Sequence, residues 1–165
     1  MAVFSFFEEV GAQIFNKDRE KEETHVEVTD AKKAVLEEQN KAAAEKLLHK
    51  AAELKLNIES PVIHIKAATA TLYGLAETQD DREKMILLVG NSNGIAKVDD
   101  RIAVKEKAPE SSFYTVQRGD NLSKIAKEHY DNANKYQLIF EANKPLLEDP
   151  DKIFPGQVLR IPPRN

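Results

Sequence analysis

The chain has 165 residues, with 24 Lys and Arg against 28 Asp and Glu, for a net charge of −4. This length allows one ordinary domain or two small ones, and the acidic balance argues against a clustered basic face for gripping nucleic acid. Cysteine and tryptophan are absent and aromatics make up 7%, which excludes disulfides, thiolate zinc sites, cysteine nucleophiles and a large aromatic cleft.

No apolar run approaches the ~18 residues of a membrane span. The opening stretch Met1–Phe15 is apolar, but Glu8-Glu9 break it and the chain's first basic residue, Lys17, comes only after it. It is therefore expected to be retained rather than cleaved as a leader. With cysteine also absent, the expected location is the cytoplasm.

Residues 1–16 form an apolar segment with Phe4, Phe7, Val10, Ile14 and Phe15 at roughly helical spacing, interrupted by Gly11. Residues 17–57 read as a charged linker followed by a helix. Asp30 is its candidate N-cap, and its apolar stripe thickens towards Leu47, Leu48, Ala51 and Leu54. Residues 58–104 read as strand, strand, helix, strand. Val62–Lys66 and Ala70–Gly74 alternate, although the turn between them, Ala67-Ala68-Thr69, lacks Gly or Asn. A helix is expected over 79–90, with Met85, Ile86, Leu88 and Val89 inward. Ile95–Val98 and Ile102–Val104 supply the last strand. Residues 105–112 read as a linker. Residues 113–162 then run strand, helix, helix, strand, with turns at Gly119-Asp120 and Pro155-Gly156. The expected class is α/β, of the α+β kind.

Paired acids at Asp80-Asp81, Asp99-Asp100 and Glu148-Asp149-Pro150-Asp151 read as solvated caps and turns, because adjacent acids point to different faces. His25, His49, His64 and His129 are scattered without ligand spacing. With no nucleophile elbow, phosphate loop or triad, the chain is not expected to be an enzyme.

Residues 113–162 resemble a LysM domain through Tyr114-Thr115-Val116, Gly119-Asp120, Leu122, Ile125-Ala126, Asn134, Ile139, Asn143, Ile153 and Pro155–Pro162. The resemblance implies a groove for N-acetylglucosamine polymers formed by Gly119, Asp120, Asn121, Leu122, Ile153, Phe154 and Pro155. Residues 58–104 resemble a BON domain, from Ile63-His64-Ile65, the strand reaching Gly74, the helix, and Gly94–Asp100. An apolar opening segment, a BON-like unit and a C-terminal LysM-like unit together resemble the bacterial potassium-binding protein family, and the run GNSNGIAKVDD is especially similar to it.

That resemblance implies a cytoplasmic K⁺ sensor that closes on its ion. By the same resemblance, K⁺ is held by the main-chain carbonyls of Phe7, Glu8 and Val10 together with Gly90, Ser92 and Ile95. K⁺ would be the ligand, with no organic cofactor. The expected state is a monomer with no nucleic-acid partner and no membrane span, and a protein or glycan is the expected contact of the LysM-like unit. The competing reading is a peptidoglycan-binding adaptor of the cell envelope.

Overall fold

The computed structural model describes residues 2–6 and 30–164. Its elements are β1 (Ala2–Ser5), α1 (Asp30–Glu53), β2 (Ile58–Lys66), β3 (Thr69–Thr78), α2 (Gln79–Gly90), β4 (Lys97–Glu106), β5 (Ser112–Thr115), α3 (Leu122–Tyr130), a 3-10 turn (Ala133–Lys135), α4 (Tyr136–Asn143) and β6 (Val158–Ile161). This is an α+β protein.

β1 to β4 form one sheet in the order β1-β4-β3-β2. β2 and β3 are an antiparallel hairpin, whereas β3 and β4 are parallel. A parallel pair needs a crossover, and α2 supplies it. The poor turn at Ala67-Ala68 does form. Ala67 takes a φ of 52°, and the Ala68 carbonyl accepts the Ala96 and Lys97 N–H groups at 2.7 and 3.1 Å. Tertiary hydrogen bonds thus hold a turn that its own residues would not select.

The opening segment departs from the helical expectation. Ala2–Ser5 is a strand pairing antiparallel with β4, from Ala2 opposite Asp100 to Ser5 opposite Lys97. Its alternation turns Phe4 inward, edge-on to Phe113 at 4.8 Å between ring centroids. The ladder along β4 decides this conformation, and its partner lies some hundred residues away, beyond any local spacing rule. Phe7, Val10, Gly11, Ile14 and Phe15 lie outside the described residues.

α1 stops at Glu53, short of the expected 57, and Lys55 follows in the left-handed region at φ 57°. Only its second half packs: Ala44 and Ala51 are buried, while Val35 and Leu36 are exposed. On α2, Met85, Ile86 and Val89 face inward as expected, but Leu87 is buried and Leu88 only half-buried. The reason is a second neighbour: β6 packs on α2, with Val158 in the same core cluster as Leu87.

The C-terminal unit is a two-stranded β5–β6 sheet with α3 and α4 over a core of Val116, Leu122, Ile125, Ala126, Tyr130, Ile139, Leu147, Leu159 and Ile161. Asn121 caps α3, its side chain accepting the Lys124 N–H at 2.9 Å.

Candidate functional site

The C-terminus of α2 runs into a turn in which several carbonyls have partners. Asn91 N–H donates to Leu87 at 2.9 Å, Ser92 N–H to Val89 at 3.1 Å and Ser92 Oγ to Leu88 at 2.6 Å, while Ile95 N–H donates to Ser92 at 3.3 Å. Among the described residues, none donates to the carbonyl of Gly90 or Ile95. Helix C-termini leave carbonyls orphaned and carry the negative end of the helix dipole.

Phe6 closes against this turn from the other side. A Cβ built on Gly90 would lie 2.0 Å from Phe6 Cζ, so the ring rests on the bare Cα. The Phe6 N–H donates to the Ala96 carbonyl at 2.6 Å, and the ring is buried. Of the six carbonyls expected to hold K⁺, Gly90, Ser92 and Ile95 lie on this one turn. Phe7, Glu8 and Val10 lie outside the described residues, directly after the residue seated on Gly90.

The expected glycan residues divide. The 117–121 loop follows β5 and the 153–157 loop precedes β6, so both leave the same end of the ladder. Val116 joins them, donating to the Gln157 carbonyl and accepting from Gly156 N–H, both at 2.8 Å. Phe154 is 53% exposed. Ile153 is half-buried and packs on the core, whereas Pro155 and Gly119 are exposed. Leu122 is a correction: its side chain is a core residue at 2% exposure, out of reach of a surface ligand. Asp120 and Asn121 are committed locally, Asp120 accepting from Tyr114 OH at 2.8 Å and Gln117 N–H at 2.7 Å, Asn121 capping α3.

Partial burial and the Asp120 carboxylate push the Tyr114 phenol up to about 12. The unfolded phenol ionises near 10, so the folded form keeps its proton longer. The associated stability is full below pH ~10 and is lost as pH rises towards the folded value. Ultraviolet phenolate titration is expected to show one tyrosine ionising last, and Asp120→Asn to bring it down.

The acid pairs correct the reading of solvated caps. Asp81 is buried and bonded to Thr78 Oγ1 at 2.7 Å and to Asn57 N–H at 3.2 Å. Asp100 is buried and bonded to Arg82 Nε at 2.8 Å and Ile102 N–H at 3.0 Å. The inward alternation Val98, Asp100, Ile102 is the sequence signal for that burial. Asp80 pairs with Lys84 and, across the junction, with Arg160 of β6. Burial works against the Asp80 carboxylate, but hydrogen bonds from Lys84 and Arg160 outweigh it and hold the group below its usual range. Among the described residues no three His, Cys, Asp or Glu converge to hold a metal.

Arg160 also reaches Glu83. Its Nε lies 2.6 Å from Glu83 Oε2 as a charge pair without hydrogen-bond alignment, and donates to Ser111 Oγ at 3.1 Å. Glu83 Oε1 accepts Gln79 Nε2 and Ser111 N–H, both at 2.9 Å. At the other end of α2, Asn91 bonds to Val158. Beside these fastenings the junction is not filled. A cleft of about 380 Å³ remains between Lys50 of α1 with Leu54 just beyond it, Leu88 and Ser92, and Leu146 and Gln157.

Residues 114–162 match the LysM domain. The chain is 54% identical over 100 residues to the potassium binding protein Kbp of Escherichia coli O6:H1, an alignment covering 61% of this chain and 67% of that protein. It is 43% identical over 58 residues to an uncharacterized protein of Deinococcus radiodurans, covering 35% of this chain and 22% of that one. It is 33% identical over 78 residues to the uncharacterized protein YqbP of Bacillus subtilis, covering 40% and 36%. With its LysM domain and its extended identity to Kbp, the chain belongs to the Kbp family.

Proposed function

We propose that the chain is a potassium-binding protein rather than an enzyme. K⁺ is held by the main-chain carbonyls of Gly90, Ser92 and Ile95 together with those of Phe7, Glu8 and Val10. Carbonyl rings can replace the hydration shell of K⁺, whose low charge density makes dehydration tolerable, whereas Ca²⁺ and Mg²⁺ favour carboxylates. The observation that carries the reading is the seat of Phe6 on Gly90, which delivers the chain to the α2 turn immediately before the three expected N-terminal ligands. The name of the 54%-identical relative supports the same ion. On this reading β1 to β4 with α2 are a BON domain, and the protein is a cytoplasmic sensor that closes on binding the ion.

Deleting residues 1–12 is expected to abolish K⁺ binding while leaving the LysM domain folded. Unchanged K⁺ affinity in the truncated protein would overturn the site.

A second reading concerns the LysM domain. The exposed Phe154, beside the loop carrying Gly119, supports a contact with N-acetylglucosamine oligomers, as in an envelope adaptor. Chitin-fragment titration tests it, with shifts at Gly119 and Phe154 expected.

A further inference from the structure

Asn91 stands between Gly90 and Ser92, yet its side chain leaves its own loop. Its Nδ2 donates to the Val158 carbonyl at 2.9 Å, and Val158 N–H donates to its Oδ1 at 2.9 Å. One amide thereby satisfies both backbone groups of the first residue of β6, as a neighbouring strand would. The partners are 67 positions apart in the chain. The loop needs such an anchor. Gly90 has no side chain, Asn91 has φ −81° and ψ 2° in the sparsely populated bridge region, and Gly94 is at φ 82°. Ser92 Oγ ties only to the preceding helical turn. Rotation of the peptide planes on either side of Asn91 would turn the carbonyls of Gly90 and Asn91 elsewhere.

We propose that Asn91 is a positioning residue for the ion turn, holding it through the paired hydrogen bonds to Val158 of β6 and so through the docking of the LysM domain. This rests on the potassium reading above. Linkage is reciprocal: whatever docking contributes to ion affinity, the ion returns as tighter docking. Arg160, two residues further along β6, holds the opposite end of α2 through Asp80 and Glu83 and belongs to the same docking.

The test is calorimetric K⁺ titration of the full chain and its variants, with amide exchange at Val158. Asn91→Ala is expected to weaken K⁺ binding about tenfold, within the usual range of coupling between sites, and Asn91→Gln to restore part of it. Adding Asn91→Ala to Arg160→Met is expected to cost little more than Arg160→Met alone, because both act through docking. If Arg160→Met fails to fold, Arg160→Lys takes its place. In the parent protein K⁺, but not Na⁺, is expected to slow exchange of the Val158 amide. An unchanged affinity in Asn91→Ala would overturn the proposal, as would a full tenfold loss persisting in the Arg160→Met background. Failure of the parent protein to bind K⁺ would instead defeat the potassium reading itself, before any variant is compared.

Discussion

Gly90→Ala is expected to unseat Phe6 and remove K⁺ binding. The new Cβ would stand 2.0, 2.2 and 2.4 Å from three ring atoms, where carbon contacts normally lie at ~3.5–4 Å. The helix cannot yield, because Met85, Ile86 and Val89 fix it against the sheet. The ring therefore leaves, and the Phe6 hydrogen bond to Ala96 goes with it. Losing a buried Phe costs ~1.5–3 kcal/mol, while replacing a helical Gly returns up to ~1 kcal/mol. The net loss is about 2 kcal/mol by urea unfolding. The double variant Phe6→Ala/Gly90→Ala is expected to be no less stable than Gly90→Ala, since the ring is already displaced. Parent-like stability in Gly90→Ala would show that the ring does not sit on this glycine.

Arg160→Met has the other large effect. It leaves Glu83, 2% exposed, with a charged oxygen that has lost its only counter-charge among the described residues. Breaking one side of a buried ion pair costs ~3–5 kcal/mol. The molecule can relieve this by opening the junction so that water reaches Glu83. The expected result is a larger radius of gyration in scattering, with the LysM domain still folded. An unchanged radius and unchanged stability would contradict it. Arg160 also bears on an acid limit, through Asp80. Asp80 is held below its ordinary value by Lys84 and Arg160, so its contribution is present above pH ~4 and is lost as pH falls through the lowered value.

The parts that were legible in the sequence are those set by local rules. The LysM unit reads directly because its turns, at Gly119-Asp120 and Pro155-Gly156, and its apolar positions Leu122, Ile125, Ala126 and Ile139 fall in one short stretch. α2 reads as a helix for the same reason. The misreadings share a different cause, a distant partner. β1 is a strand because β4 is beside it, and Leu87 is buried because β6 covers α2. The burial of Asp81 and Asp100 was not legible because Asn57, which joins Thr78 on Asp81, and Arg82, which satisfies Asp100, are distant in the chain. Arg160 carried no signal on its own, since its acids lie some eighty residues earlier. The candidate ion site was proposed through resemblance alone. Main-chain ligands leave little trace in side-chain chemistry, and only Gly90 betrays the geometry, through the ring that rests on it.

The central claim is that this chain takes K⁺ at the α2 turn and closes on it. Calorimetric titration with KCl and then NaCl, in a buffer free of both ions and with scattering before and after, tests it most directly. The account predicts saturable heat with K⁺ but not Na⁺, together with compaction. Absence of heat with either ion, or equal heat with both, would contradict it.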